Sequence, residues 1–320
     1  MISFIVIGKN EGWRLTNCLD SILIFISNEN ITDFEIIYVD SNSTDDSIQR
    51  ARAYRAVKVY LITGNCNSAI ARNVGAQQAK YNILFFLDGD MELLPEFFEF
   101  VFNKSTQTLL YPFTNGHMIE KYYDSDFNYL FDRNEKIGEK PFFEPVTGGL
   151  MIVEKRLWEK LGGMDERLIR NQDLDFGLRM SKNGVPVLKD NHFWIIHHTI
   201  SYYEKTRFSS FYRSKALLSP GILMRKHILN FTYLKYFRRY VFYEILLFTS
   251  FTMLFISPIN GILLLLFYIF IQVIRTIVNS KDEEYLVKSF TFKIIFNIYS
   301  LLGFLFYYPA KPSYKFTFVK

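Results

Sequence analysis

The most informative segment of the chain is Asn82-Ile83-Leu84-Phe85-Phe86-Leu87-Asp88-Gly89-Asp90. Its apolar part is typical of a buried strand. Residues two apart at the end of a strand project to the same side, so Asp88 and Asp90 can converge on one cation. Gly89 between them lets a bulky anion approach the backbone. One or two carboxylates completed by substrate phosphates are a usual arrangement for Mg²⁺ or Mn²⁺. Taken alone, the triplet is equally compatible with a solvated turn.

The residues around this segment predict an α/β fold. Strands are expected at residues 2–7, 34–39 and 57–62, with helices between them and a helix over residues 69–79 before the strand that ends at Asp88. This alternation is typical of a doubly wound, mostly parallel, Rossmann-like sheet. Ligands of such sheets bind beyond the carboxyl ends of the strands. Three strand ends carry polar residues, which should therefore share one rim: Lys9-Asn10-Glu11, Asp40 and Asp88.

The following residues predict the rest of the globular part. A helix is expected over residues 95–102, a strand over 109–118, and a long loop covering the site over 120–145, where no period is clear. Gly148 and Gly149 lead into another strand. Further helices are expected over residues 154–161 and from about 173 to 182, and strands over 185–188 and 193–196, with His197 and His198 just after the last.

The C-terminal third has the composition of a membrane region. Residues 240–280 contain only two charged residues, Glu244 and Arg275, and a Pro-Ile-Asn-Gly turn interrupts the run. About 20 residues cross ~30 Å of hydrocarbon, so residues 240–278 predict a helical hairpin, its ends facing the cytoplasm because basic residues flank it. Residues 290–308 form a third apolar segment, which we expect to be interfacial or re-entrant rather than a third span. The alternative for the whole region is a set of buried core helices.

Bulk properties agree with a membrane-associated enzyme. The 320 residues are 49% hydrophobic and 18% aromatic. A net charge of +5 is too small to predict a nucleic-acid partner, and two cysteines provide no disulfide framework. The N-terminus enters a strand at once without a signal pattern, so the first domain should stay in the cytoplasm. The expected domains are residues 1–215, a juxtamembrane linker at 216–239, and a membrane region at 240–320.

Five segments taken together resemble the inverting glycosyltransferases of family 2, which have the GT-A fold. The resemblance covers roughly residues 2–213 and follows the order of the family's motifs. The segments are residues 3–11, 39–45, 71–75, 88–90 and 172–175. One motif alone is weak, whereas five in order with sensible spacing are specific. Two positions depart from the family pattern: Ser41 stands where many members have a second Asp, and Gln172 stands where the first acid of the last motif is usual.

The resemblance implies transfer of a sugar from a nucleotide-diphosphate sugar, expected to be a UDP-sugar, to an acceptor hydroxyl with inversion. By the family pattern Asp90 binds Mn²⁺ or Mg²⁺, Asp88 contacts ribose or the metal, and His197 adds a ligand. A plain hydrogen-bonded histidine is the alternative for His197. The residues expected to bind the nucleotide are Lys9, Glu11, Asp40, Arg72 and Asp88, and those expected beside the acceptor are Gly148 and Gly149.

The base that takes the acceptor proton is expected to be Asp173. Asp175 has Arg179 four residues further along the predicted helix, which favours a structural ion pair for Asp175. Asp173 has Gly177 at that offset and no such partner. Two positions apart on a helix also means different faces, so only one of the two carboxylates can face the site. The alternative for Asp173 is a helix N-cap.

The acceptor and the reaction class leave alternatives open. The preferred function is a membrane-anchored, multi-pass enzyme that uses a glycan or lipid-linked acceptor in cell-surface glycan biosynthesis, with its catalytic domain on the cytoplasmic face. A polyprenyl-phosphate glycosyltransferase of the dolichol-phosphate-mannose-synthase type would need a basic pocket, for which Arg207, Arg213 and Lys215 are available. A sugar nucleotidyltransferase would need a glycine-rich basic loop after the first strand, and Gly8-Lys9-Asn10-Glu11-Gly12 is a poor version of one.

Overall fold

The computed structural model describes residues 1–201, 210, 213–279 and 283–320. The chain forms two compact units, one of Met1–Ser210 with Ala310–Lys320 and one of Phe211–Pro309. Arg207, considered above for a basic pocket, lies outside the described residues.

The first unit is an α/β sandwich whose elements follow the predicted alternation. Its strands are β1 (Ile2–Gly8), β2 (Phe34–Asp40), β3 (Val57–Gly64), β4 (Ile83–Asp88), β5 (Met91–Leu93), β6 (Phe102–Asn103), β7 (Thr108–Leu109), β8 (Phe113–Tyr123), β9 (Tyr129–Asn134), β10 (Phe142–Glu144), β11 (Met151–Glu154), β12 (Val187–Ile200) and β13 (Tyr314–Phe318). Its helices are α1 (Trp13–Asn28), α2 (Ser47–Ala53), α3 (Ser68–Gln78), α4 (Lys155–Lys160) and α5 (Gln172–Lys182).

The main sheet has the strand order β10-β12-β8-β11-β4-β1-β2-β3-β13. Strands β4, β1, β2 and β3 are parallel to one another, as predicted. The strands added beyond them are mostly antiparallel, so the sheet as a whole is mixed. The α/β class is confirmed. The carboxyl ends of β1, β2 and β4 meet at one rim, which positions the site.

Two apolar cores cover the two faces of the sheet. The first contains α1 and a group of aromatic rings, among which Phe97 stacks on Trp194 at 4.2 Å between ring centroids. The second lies under α3 and α5. Helix α3 approaches β1 closely at Gly75, where a Cβ would lie 2.3 Å from Cγ2 of Ile5. Strands β1 and β4 are buried on both faces, which explains why they are continuous apolar runs rather than alternating ones.

Several local predictions are wrong between residues 95 and 145. The helix expected over residues 95–102 is only a 3-10 turn, Phe98–Phe100, because burying Phe97 and Phe98 against the aromatic core overrides helical spacing. The loop expected over residues 120–145 contains β9 and β10. Every residue of β9 is exposed, so that strand lacks the apolar alternation by which it could have been recognised.

The last eleven residues also differ from the prediction, which placed them in the membrane region. Strand β13 pairs antiparallel with β3 and closes that edge of the sheet. Its aromatic side chains pack on Tyr60, with ring centroids 6.4 Å away for Phe316 and 5.3 Å away for Phe318. The chain therefore returns to the first unit after leaving it.

The second unit is helical. Its helices are α6 (Ser219–His227), α7 (Phe231–Ile256), α8 (Pro258–Asn279) and α9 (Glu283–Leu305). Residues 216–239, expected to be a linker, instead contain a 3-10 turn, α6 and the start of α7, which the side chain of Asn230 caps. Arg225 donates hydrogen bonds to the carbonyls of Gly303, Phe304 and Tyr307 at the end of α9.

Two helices of the described chain are long and apolar enough to cross a membrane. They are Phe231–Ile256, with a mean hydropathy of 1.4, and Pro258–Val278, with a mean hydropathy of 2.3. At 1.5 Å per residue both exceed the ~30 Å of a hydrocarbon core. The third apolar helix, Ser289–Leu305, is shorter. This is weak evidence for membrane association, since buried helices of soluble proteins can share these properties.

Candidate active site

A cleft of about 240 Å³ opens at the rim where β1, β2 and β4 end. Its lining combines three loops with the acidic segment after β4. The lining residues are Ile7, Gly8, Lys9, Glu11, Ser41, Cys66, Asn67, Ser68, Asp88 and Asp90. The structure thus brings together four of the residues predicted from the sequence to bind nucleotide or metal, namely Lys9, Glu11, Asp88 and Asp90.

The loop after β1 is held against the loop after β2 by hydrogen bonds. Asn10 adopts a left-handed conformation, with φ of 59°, and its backbone N–H donates to Oγ of Ser43 at 2.9 Å. Oδ1 of Asn10 accepts from the backbone N–H of Thr44 at 2.8 Å. Short polar side chains tolerate this conformation, which explains an asparagine at this position. The two loops beside the cleft are therefore held together by hydrogen bonds within the protein.

Asp40 holds this loop together instead of facing the cleft. Its side chain is fully buried and accepts hydrogen bonds from the Tyr38 hydroxyl at 2.8 Å, the Ser43 hydroxyl at 2.6 Å and the Ser43 backbone N–H at 2.7 Å. Both carboxylate oxygens accept hydrogen bonds from the protein, and the predicted contact of Asp40 with a nucleotide stays a prediction. Ser41, the next residue, lines the cleft.

Asp88 lies between Arg72 of α3 and the glycine pair before β11. Nη2 of Arg72 is 2.5 Å from Oδ1 of Asp88 and 3.5 Å from the carbonyl oxygen of Gly149. A Cβ on Gly149 would lie 2.1 Å from Oδ2 of Asp88, so only glycine fits beside this carboxylate. Burial raises the pKa of Asp88, with a further contribution from the charge of Asp90, and Arg72 opposes this increase.

Asp90 is surrounded by cationic groups. Nε2 of His197 is 3.4 Å and Nη1 of Arg14 is 3.6 Å from Oδ2 of Asp90. Burial opposes ionisation of Asp90, but these two neighbours outweigh burial and lower its pKa. Burial likewise opposes protonation of His197, and the charges of Asp90 and Asp88 raise its pKa overall. Asp90 is thus held as an anion in the lining of the cleft.

The two adjacent histidines have different surroundings. His198 is buried and both ring nitrogens have partners, Nδ1 with the Tyr123 hydroxyl at 2.8 Å and Nε2 with Oε1 of Glu92 at 2.7 Å. His197 lies beside Asp90, and its Nδ1 is buried without a partner. Adjacent residues of β12 point to opposite faces, which separates the two side chains.

The residues around Asp90 fit a divalent cation whose coordination is completed by a bound ligand. No group of three or more His, Cys, Asp or Glu side chains in the described part of the chain is arranged to hold a metal ion by itself. Oδ1 of Asp90 is nevertheless buried and has no hydrogen-bond partner. A buried carboxylate oxygen without a partner carries a free-energy cost that a cation would remove. One or two carboxylates plus phosphate oxygens would suffice for Mg²⁺ or Mn²⁺.

The two aspartates of α5 have separate environments. Asp175 is fully buried, and Arg179 donates to its Oδ2 at 2.9 Å, as the helical spacing predicted. Arg179 also donates to the carbonyls of Leu161 and Gly163, so this pair fixes α5 against the end of α4. Asp173 is only partly buried and lies close enough for its charge to raise the pKa of Asp88. Its assignment as the base stays a prediction.

Arg14 is a site residue that the sequence reasoning missed. Only 8% of it is exposed, and it lies 2.7 Å from Glu11 as well as 3.6 Å from Asp90. Burial, followed by the charge of Asp90, raises the pKa of Glu11 to about 8 despite Arg14. The spacing of three residues between Glu11 and Arg14 was the available signal. Arg14 belongs to a helix with an amphipathic pattern, so its sequence position suggested a surface residue.

Comparisons with known proteins find similarity to glycosyltransferases. Residues 3–109 match the family model described as Glycosyl transferase family 2. An uncharacterized glycosyltransferase of Haemophilus influenzae is 26% identical over 185 residues, which are 56% of this chain and 62% of that protein. The chain therefore matches less than two thirds of that relative's length.

Two solved structures share the fold of the first unit. The structure of GalNAc-T7 with UDP, GalNAc and Mn²⁺ has a TM-score of 0.52 and 17% identity, covering 70% of this chain and 51% of that one. The structure of Staphylococcus aureus TarS residues 1–349 with UDP-GlcNAc has a TM-score of 0.51 and 16% identity, covering 73% and 72%. At this identity the likeness shows the fold alone.

The mixed α/β sheet with an acidic cleft at the ends of its parallel strands defines a GT-A fold. Together with the match over residues 3–109, it makes the first unit similar to the glycosyltransferases of family 2.

Proposed function

We propose that this protein transfers a sugar from a UDP-sugar to a glycan or lipid-linked acceptor in cell-surface glycan biosynthesis, with inversion at the anomeric carbon. The observation that carries the proposal is the cleft in which Asp88 and Asp90 stand beside Lys9, Arg72 and Arg14. Each of the two carboxylates has an arginine within 4 Å, Arg72 for Asp88 and Arg14 for Asp90. Such an arrangement suits a diphosphate that arrives with a divalent cation.

The cation would be Mn²⁺ or Mg²⁺ held by Asp90, with Asp88 and His197 as the adjacent protein groups. When bound, it would neutralise charge that gathers on the leaving diphosphate. Arg72 holds Asp88 in position through its 2.5 Å contact, and Arg14 does the same for Asp90 and Glu11. These cations orient the carboxylates before the ligand binds, which reduces the reorganisation needed during the reaction.

Asp173 is proposed as the base that takes the acceptor proton. It belongs to the first turn of α5, its charge acts on Asp88, and it has no ion-pair partner four residues further along the helix. A base placed across the donor sugar from the leaving diphosphate favours inversion. Asp175 cannot serve, because it is fully buried and bonded to Arg179.

A membrane anchor would hold this site near an acceptor that cannot leave the bilayer. If α7 and α8 both cross the membrane, they form the predicted hairpin. Strand β13 supports this topology because residues 314–318 pair with β3 of the catalytic unit. The chain between residues 211 and 309 must then cross an even number of times. Two crossings satisfy this condition and three do not, so α9 would lie at the membrane surface. The catalytic unit would then be on the cytoplasmic face.

The direct test is nucleotide release by the purified full-length protein in detergent. With Mn²⁺ and a panel of nucleotide sugars, we expect one UDP-sugar to yield UDP, and Asp90→Asn to lower the rate by about 10²-fold or more. Asp46→Asn is the matched control, because Asp46 is an exposed carboxylate that pairs with Arg50 on α2. Absence of turnover across the panel, with a lipid extract present, would refute the proposed function.

A further inference from the structure

A second group of buried polar side chains lies on the sheet face that carries Asp88. Asn115 and His117 follow Phe113 at intervals of two along β8, so all three point to one face. Phe113 belongs to the same core as Phe86, which precedes Asp88 by two residues on β4. Strand β8 is two strands from β4, a distance of about 10 Å.

The polar atoms of this group are only partly satisfied within the protein. His117 is 4% exposed; its Nδ1 is 2.7 Å from Oε2 of Glu135, while its Nε2 is buried without a partner. Lys189 is 8% exposed and lies 3.3 Å from Glu135 and 3.9 Å from Glu144. Oδ1 of Asn115 is also buried without a partner. Buried polar atoms of this kind require a ligand or water, because leaving them unpaired costs free energy.

An aromatic ring borders the same group. Phe142 is the register partner of Lys189 on β10, so the two side chains share a face. The Phe142 side chain is 45% exposed, and its ring centroid is 6.4 Å from that of His117. An exposed ring beside hydrogen-bonding groups can pack against an apolar face of a ligand while those groups bind its polar edge.

The chain connects this group directly to the reacting centre. From Glu144 it runs through residues 145–148 to Gly149, which contacts Asp88. Asn115 fixes this connection by donating to the carbonyls of Val146 and Thr147. A ligand bound here would therefore lie beside the site.

We infer that Asn115, His117, Glu135, Phe142, Glu144 and Lys189 form an acceptor platform that binds a saccharide. The inference rests on the proposed glycosyl transfer and specifies its acceptor class. Sugar hydroxyls donate to the two carboxylates and accept from the Lys189 ammonium, and the ring of Phe142 covers an apolar sugar face. A bare polyprenyl phosphate fits poorly, because Glu135 and Glu144 would repel its charge. The group that receives the donor sugar is thus a hydroxyl of an existing saccharide.

The test compares acceptors and variants in the full-length enzyme. The acceptors are a panel of octyl glycosides of common hexoses and N-acetylhexosamines, and undecaprenyl phosphate. We expect transfer to at least one glycoside, and Glu144→Gln and Phe142→Ala to raise the KM for that glycoside about tenfold or more. The KM for the nucleotide sugar and the release of UDP without acceptor should change less than about twofold.

Phe143→Ala is the matched control. Phe143 is the neighbouring residue on the opposite face of β10 and has a similar exposure of 50%. We expect its acceptor KM to stay at the wild-type value. Transfer to undecaprenyl phosphate but not to any glycoside, or an unchanged acceptor KM in both platform variants, would overturn the platform. If the wild-type enzyme releases no UDP from any nucleotide sugar, the proposed function itself fails, which is a separate result.

Discussion

Replacing Gly149 by alanine should disable the site without unfolding the protein. A Cβ at this position would lie 2.1 Å from Oδ2 of Asp88 and 2.9 Å from Nη2 of Arg72. Ordinary contact begins at 3.4 Å, so the Asp88 carboxylate must move by about 1.3 Å. Asp88 can do this only by leaving its contact with Arg72. The φ angle of Gly149 is not in the left-handed region, so alanine adds this clash and no backbone strain.

The size of the effect follows from the displacement. A misplacement of about 1 Å in a reacting group can cost roughly 10²-fold in rate, which corresponds to about 2.7 kcal/mol of transition-state stabilisation. We therefore expect Gly149→Ala to lower kcat/KM for UDP release about 10²-fold. Overpacking costs about 1–3 kcal/mol of stability, so the variant should still fold, with a lower melting temperature.

The assay is UDP release with Mn²⁺, measured beside thermal unfolding of the same samples. Gly138→Ala is the control, since the nearest atom to its new Cβ would be a carbonyl oxygen at 3.8 Å. We expect the control to keep wild-type kcat/KM. A folded Gly149→Ala variant whose kcat/KM stays within about threefold of wild type would refute the argument that this contact positions Asp88.

Two further predictions concern α5 and β2. Asp173→Asn should lower the rate of sugar transfer by about 10²–10⁴-fold, while UDP binding, measured by calorimetry, stays unchanged. Asp175→Asn should instead lower the melting temperature. Loss of UDP binding in Asp173→Asn would mean that Asp173 has a structural role. Burial opposes ionisation of Glu35, but three hydrogen bonds to its carboxylate outweigh burial and lower its pKa. Its stabilisation is therefore complete above the unfolded pKa of about 4.3 and is lost as the pH falls through the folded pKa. Glu35→Gln should cost about 2 kcal/mol at pH 7 and progressively less below pH 4, as followed by urea unfolding; a cost independent of pH would contradict this.

Much of the donor half of the site could be predicted from the sequence. Asp88 and Asp90 follow a continuous apolar strand, and parallel strands bring their carboxyl ends to one rim whatever the details of packing. That rule was sufficient to predict that Lys9, Glu11 and Asp88 lie close together. It could not show that the Asp40 side chain is buried, because its hydrogen bonds come from Tyr38 and from Ser43 in the loop after β2.

The acceptor half was less predictable. The platform draws its residues from β8, β10 and β12 and from the residue after β9, and only the sheet order brings them together. No local period marks Glu135 or Phe142, since the strands there are short or exposed on both faces. The tail was misplaced for the same reason: Tyr314, Phe316 and Phe318 alternate as a strand does, but their partner β3 lies about 250 residues earlier in the chain.

Protection of a cysteine in the cleft tests the central claim most directly. The chain has two cysteines; Cys18 is fully buried, and Cys66 lines the cleft with Asp88 and Asp90. Burial raises the pKa of Cys66, so alkylation should be followed at about pH 8.5 by mass spectrometry of the intact protein. We predict one modified thiol, with UDP and Mn²⁺ together slowing its reaction about tenfold and UDP with a chelator slowing it little. Alkylation of Cys66 at the same rate with and without UDP and Mn²⁺ would contradict a nucleotide-diphosphate site in this cleft.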